Sequence, residues 1–289
     1  MIQFWKAHGL GNDYLVLDQA ALDFPLSPAA VRLLCDRHRG VGGDGVLLRV
    51  ATSAADFGLR IVNPDGSEAE KSGNGLRIFA RWLVEAGHAR RLAFTVATPG
   101  GVVECECQVE DERVTRVAVE MGHATFDAAR IPFAGVDGEA VSVPLEVDGE
   151  RLTVTAVSLG NPHCVVFAPA LDDARLRQLG PRIETHPRFP QRTNVQLATA
   201  PARGAVEIRI WERGAGETLA SGSSSCAAAA AAVREGRCDP GRITVTMPGG
   251  VLAVDVRPDW SLRLDGPVEA VCDGTLAPEL EAALRALSR

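Results

Sequence analysis

Hydrophobic and polar positions along the chain change period in a fixed order. The opening FWKAHGLGNDYLVLD reads as strand. A helix follows from about Ser27 to Arg37, with Ser27-Pro28 as its N-cap and first-turn pair. The Gly-rich turn RGVGGDG leads into apolar VLLRV, and FGLRIVN is a second strand run. After the turn NPDGSEAEKSGNG, Leu76, Phe79, Ala80 and Leu83 keep helical spacing, and Gly87 closes that helix. Strand LAFTVAT, turn Pro99-Gly100-Gly101 and strand VVECECQVE complete this half. The second half runs strand LTVTAVSLGNPHCVVF, a helix near Asp172 to Gly180, strand AVEIRIWE, a Gly-rich turn, the Ala-rich helix CAAAAAAVREG and strands ITVTMPGGVLAVDV. Pro278 to Arg289 reads as a short terminal helix.

The two halves match at one offset, 149 residues. Leu10-Gly11-Asn12 falls on Leu159-Gly160-Asn161, Ile61 on Ile210, Ser72-Gly73 on Ser221-Gly222, and Gly87 on Gly236. Thr95-Val96 falls on Thr244-Val245, and Pro99 to Val102 on Pro248 to Val251. The period is too long for a solenoid and marks two copies of one unit. The fold class is therefore α/β (α+β): two pseudo-symmetric repeats, each a curved mixed sheet wrapped around a central helix, with an active-site cleft between them. The first repeat is placed at 1–120, joined by 275–289, and the second at 121–274, with the seam in the region 118–145.

Composition narrows the chemistry. The 289 residues are 46% apolar and 23% charged, enough for a sizeable core and against a mainly disordered chain. A net charge of -7 argues against a nucleic-acid partner. No apolar run approaches the roughly 18 residues of a membrane span, and the N-terminus lacks the apolar stretch of a signal peptide, so a cytoplasmic protein is expected. Seven cysteines, an odd number, give neither a disulfide framework nor a zinc ribbon, and no metal site is expected. Cys105 and Cys107, one residue apart on a strand, are assigned to opposite faces. Lys6 and Lys71 are the only lysines, and neither sits in a pyridoxal-type motif; no cofactor is expected.

Ser72-Gly73-Asn74-Gly75 and Ser221-Gly222-Ser223-Ser224 stand at matched positions before helices. A helix start carries unpaired N–H groups and partial positive charge, so two such starts make an anion site suited to a carboxylate. Inverting a carbon centre removes a proton from one face and returns one to the other, which two equivalent groups perform most simply.

At this point the chain resembles the diaminopimelate epimerases, a family of pyridoxal-independent amino-acid racemases. The resemblance covers almost the whole chain. It is carried by HGLGNDYLVLD (8–18), CDRHRGVGGDG (35–45), NPDGSEAEKSGNGLR (63–77), GNPHCVV (160–166), TNV (193–195) and ERGAGETLASGSSSCAAA (212–229). It implies interconversion of LL- and meso-2,6-diaminopimelate, in lysine and peptidoglycan synthesis, by a homodimer acting on a small amino-acid substrate. It implies substrate contacts from Asn12, Asn63, Asn161 and Asn194, with Arg213 pairing two-pronged with the distal carboxylate. It implies that Gly73-Asn74 and Gly222-Ser223 hold the reacting α-carboxylate. It also places His163 and Glu212 beside the reacting amino group and the catalytic pair. At Gly45 the family often carries glutamine.

The family's catalytic pair is two cysteines, and here those positions read Ser72 and Ser221. Cys226, the nearest cysteine in sequence, lies five residues along the helix from Ser221. A thiol has a pKa of about 8.5 and a serine hydroxyl lies nearer water's, about 15.7. The gap of roughly 7 units corresponds to about 10 kcal/mol. An adjacent base activates serine in other enzymes, a role open to His163 or Glu212. Three readings stay open: an epimerase with another relay or another amino acid; a catalytically silent or engineered Ser/Ser homologue that binds without turnover; or one-sided chemistry such as dehydration on a related fold.

Overall fold

The computed structural model of the chain describes residues 1–288. Their backbone divides into two compact units, one of residues 1–119 with the segment from Gly266 onward, the other Glu120–Asp265.

The first unit begins with β1 (Gln3–Gly9) and β2 (Asn12–Asp18), an antiparallel hairpin. The expected single strand is thus two, because Leu10 (φ 57°) and Gly11 (φ 89°) turn the chain between them. Next come α1 (Pro28–Cys35), β3 (Val46–Val50), β4 (Phe57–Val62), the short β5 (Glu68–Ala69) and α2 (Gly73–Glu85). The strands β6 (Ala93–Thr98), β7 (Gly101–Glu110) and β8 (Arg113–His123) follow. The Ser27 hydroxyl accepts from the Ala30 N–H, capping α1 as its sequence predicts. Helix α2 buries Leu76, Ile78, Phe79, Ala80 and Leu83 against β1, β2 and β7. At about 1.5–3 kcal/mol for each large apolar side chain, this face holds the helix in place. The helix ends where Gly87 turns to φ 74°.

The second unit holds β9 (Val143–Val147), β10 (Glu150–Ser158), β11 (Pro162–Phe167), α3 (Asp173–Glu184), β12 (Asn194–Ala202) and β13 (Ala205–Glu212). It continues through β14 (Gly216–Thr218), α4 (Gly222–Arg234), β15 (Gly241–Met247), β16 (Gly250–Val256) and β17 (Ser261–Pro267). The chain then returns to the first unit as β18 (Glu269–Thr275) and α5 (Pro278–Leu287). β18 pairs antiparallel with β1, which assigns residues 266–274 to the first unit, against the sequence reading that kept them in the second. α5 packs on α1, and Leu284 and Leu276 join a core with Leu15, Leu34 and Val46.

The units repeat each other in register. β2/β3 and β11/β12 are parallel, as are β4/β6 and β13/β15. Leu47 faces Ile61 as Gln196 faces Ile210, and Thr95 faces Glu104 as Thr244 faces Ala253, each pair displaced by 149 residues. Helices α2 and α4 begin at that same offset and have equal length. Ala227 to Ala232 of α4 are fully buried, small side chains that let surrounding strands approach closely.

Two further local expectations fail. α3 runs past Gly180 to Glu184, with Pro181 inside it. Gly180 is there for packing, since a Cβ would lie 2.6 Å from Trp211 Cγ. Cys105 and Cys107 share the buried face of β7, because residues two apart on a strand point the same way. All seven cysteines are free thiols, and only Cys272 is exposed.

Candidate active site

Serine at each helix start serves first as a cap. Ser72 takes the extended conformation before α2, and its hydroxyl oxygen accepts from the Gly75 N–H at 3.0 Å. Ser221 does the same before α4, accepting from the Ser224 N–H at 3.5 Å. Residues Gly73 and Asn74, and Gly222 and Ser223, occupy the first turns, where backbone N–H groups lack helix-internal acceptors. Within its own unit, each hydroxyl is thus held by a backbone donor at the positive end of a helix.

In the first unit a polar chain fixes Asn12. Its Nδ2 donates to Asp44 at 2.9 Å and its Oδ1 accepts from Asn74 Nδ2 at 3.1 Å. Asn74 in turn accepts at 2.9 Å from Arg77, a fully buried guanidinium. Asp44 also takes Arg37 at 2.9 Å, and Arg37 grips Asp13 with two bonds of 2.6 and 3.1 Å. Lys6 lies 3.0 Å from the same carboxylate. Burial works against the Asp13 charge, yet the hydrogen bonds and charges of Arg37 and Lys6 prevail and bring its pKa to about 2. Asn63 sits apart from this chain. It closes the turn after β4, donating to the Ser67 hydroxyl at 3.0 Å and to the Ser67 carbonyl through its own N–H. Gly45 has no room for a side chain: a Cβ would meet the Val62 carbonyl at 2.7 Å and Tyr14 Cε1 at 2.8 Å.

In the second unit the polar chain is neutral. Asn161 Oδ1 lies 3.1 Å from His163 Nε2, and His163 Nδ1 lies 3.1 Å from Gln196 Nε2. Gln196 Nε2 also donates to the Ser224 hydroxyl at 3.0 Å. Desolvation, helped by the charge of Arg213, lowers the His163 pKa to about 3, only partly opposed by the Gln196 contact. The imidazole is therefore neutral near pH 7, and both ring nitrogens are engaged by amides. The sequence reading of His163 as a base for serine does not match this wiring; the ring braces Asn161.

Asn194 and Glu184 hold the turn that carries Arg213. Asn194 donates to the Pro162 carbonyl and accepts from the Arg213 N–H, both at 3.0 Å. The Glu184 carboxylate accepts from the Gly214 N–H at 2.7 Å and from Trp211 Nε1 at 2.8 Å. Arg213 is exposed, with Nη1 on the Gln191 carbonyl at 3.1 Å, and Glu212 is half-buried at the end of β13. The buried cysteines offer no substitute thiolate. Burial raises Cys35 to about 11 and Cys107 to about 12, and raises Cys105, Cys164 and Cys238 as well. Cys226 is fully buried in α4.

Asp44, Arg37, Asn74's partner Arg77 and Gln196 carry no assigned role in the sequence reading, and Ser224 appears there only within the helix-start run. Gln196 left a trace there, one polar residue inside the apolar run of β12, at the place where β3 has Leu47.

The family model described as diaminopimelate epimerase matches residues 4–126 and 155–270. Diaminopimelate epimerase 2 of Nostoc sp. (strain PCC 7120) is 45% identical over 282 residues, covering 97% of this chain and 98% of that protein. The diaminopimelate epimerase of Pelotomaculum thermopropionicum is 42% identical over 275 residues, 94% of this chain and 98% of its own length. Among solved structures, a hydroxyproline epimerase from Agrobacterium vitis with bound trans-4-hydroxy-L-proline superposes with a TM-score of 0.73. It covers 97% of this chain and 94% of that one at 16% identity, which shows a shared fold.

Proposed function

The chain belongs to the diaminopimelate epimerase family, and on that premise we propose that it inverts the α-carbon of 2,6-diaminopimelate, LL to meso, without a cofactor. The observation that carries this is the exact doubling of the capped helix start. Ser72 and Ser221 are displaced by the repeat offset, each capping a helix whose first turn offers backbone donors. In this reading Gly73-Asn74 and Gly222-Ser223 bind the reacting α-carboxylate. Asn12 and Asn161 present their amides to substrate, each held from behind by its own polar chain. Asn63, Asn194 and Arg213 serve the distal amino-acid end, and Glu212 receives the reacting amino group. Ser72 and Ser221 occupy the family's two proton-transfer positions.

Magnitudes favour a second reading of those serines. Within its unit each hydroxyl accepts from a backbone donor, and both ring nitrogens of His163 are engaged by amides. An N-cap bond and a helix end stabilise an alkoxide by about 1–3 kcal/mol together, against the roughly 10 kcal/mol separating serine from cysteine in basicity. Ser/Ser then binds diaminopimelate with turnover slow or nil. We further place the protein in the cytoplasm as a homodimer, its mass in solution readable by light scattering; no described helix is long and apolar enough to cross a membrane.

The deciding experiment incubates the purified chain with LL-2,6-diaminopimelate, reading binding by calorimetry and meso product by chiral chromatography. Product supports the epimerase, binding without product supports the second reading, and no binding rejects the substrate assignment.

A further inference from the structure

The two units support their matched asparagines by different means. Asn12 stands on a charged chain through Asp44 and Arg37, with Asn74 on its other side. Asn161, its counterpart at the repeat offset, stands on an uncharged chain of His163, Gln196 and Ser224, all fully buried. The counterparts of Gln196 and Ser224 in the first unit are Leu47 and Gly75, an apolar pair. They pack so closely that a Cβ on Gly75 would lie 2.9 Å from Leu47 Cδ2. An apolar side chain therefore fits this place in the fold, and the second unit carries an amide there instead.

That amide carries a stability cost of its own. Gln196 Oε1 is buried without a partner, which is unfavourable. The opposite orientation would strand two N–H donors in place of one carbonyl. The orientation seen also fixes the imidazole. Asn161 Oδ1 only accepts, so His163 Nε2 carries the ring proton; Nδ1 is then an acceptor and takes an N–H from Gln196. The same Nε2 atom of Gln196 donates to Ser224 Oγ, and the Ser224 N–H donates to Ser221 Oγ.

We propose that Gln196 is a positioning residue that sets two groups at once. Through His163 it holds the Asn161 amide with its N–H donors turned outward, and through Ser224 it holds the Ser221 end of α4. The inference rests on Asn161 and Ser221 facing substrate. It ties the second unit's asparagine to its helix start through a buried amide, whereas in the first unit Asn12 meets the start of α2 directly through Asn74.

The test joins a readout that needs no substrate to one that does. In 15N-histidine spectra of the full chain, His163 is expected as the neutral Nε2–H tautomer, with Nδ1 hydrogen-bonded as an acceptor. Gln196→Met, of similar volume but no N–H, is expected to lose that Nδ1 signature while still folding, because removing the unpartnered Gln196 Oε1 offsets part of the cost of leaving His163 Nδ1 without a donor. It should weaken meso-2,6-diaminopimelate binding about tenfold, the scale of one well-made hydrogen bond. In an Asn161→Ala background the same substitution should weaken binding less than it does in the wild type, because the Asn161 branch is already lost and only the Ser224 branch remains. An Nδ1–H tautomer in the wild type, or full additivity of Gln196→Met with Asn161→Ala, overturns the proposal. Should the wild type not bind diaminopimelate at all, the substrate reading fails instead, and the tautomer in wild type and Gln196→Met still decides the wiring.

Discussion

Acidification should destabilise the fold through His163, whose burial and two amide contacts keep it neutral. The folded-state pKa is about 3, against 6.5 for the unperturbed side chain. Between those values the unfolded chain binds a proton that the folded chain refuses, so stability rises with pH there and falls on acidification below 6.5. Each unit is worth about 1.4 kcal/mol, hence roughly 2 kcal/mol lost by pH 5 relative to neutral. The ring is fully buried, so solvent screening does not reduce this figure. Typical total stability is about 5–15 kcal/mol, which makes the change readily measurable. Urea unfolding followed by tryptophan fluorescence is the assay. With an m value near 3 kcal/mol/M, the midpoint should fall by about 0.7 M between pH 7 and pH 5. His163→Gln keeps an N–H for Asn161 but does not titrate, so its midpoint should move much less. Asp13 titrates lower and leaves this window clear. Parallel midpoint curves for wild type and His163→Gln would refute the buried, neutral assignment.

Arg37→Ala removes both bonds to Asp13 and one to Asp44. It should lower stability by about 1–3 kcal/mol at pH 7, in urea melts. Because the Asp13 pKa is depressed, that difference should hold above about pH 4 and shrink as pH falls toward 2. Gly180→Ala sets a methyl 2.6 Å from Trp211 Cγ and should cost about 1–3 kcal/mol, with a changed tryptophan emission as the ring moves. Ser221→Ala removes the α4 cap and should lower Tm by the equivalent of about 1 kcal/mol, whereas Ser221→Cys should retain the fold.

Periodicity made the helices legible, with some of their ends. Ser27 and Gly87 act as their residue types imply, because capping is local chemistry. The duplication was also legible, since matched turn and cap residues keep one offset even where side chains diverge. The hairpin at Leu10-Gly11 was missed because a two-residue turn hardly interrupts an apolar run. α3 was cut short because Gly180 reads as a stop when its partner, Trp211, is distant in sequence. For the same reason Ser72 and Ser221 could be singled out from position alone, while Gln196, Asp44 and Arg37 could not. Their roles arise from contacts across 28 to 33 residues for Gln196 and 24 to 32 for the others, visible only once strands are in register.

The central claim is that the two serine-capped helix starts occupy the reacting positions of an α-carbon epimerase. The most direct test is Ser72→Cys/Ser221→Cys incubated with LL-2,6-diaminopimelate in D2O, with Cα deuterium read by mass spectrometry and configuration by chiral chromatography. The account predicts deuterium incorporation with inversion to the meso form, far faster than in the wild type. A folded double variant that binds the substrate yet neither exchanges nor inverts it would contradict the account.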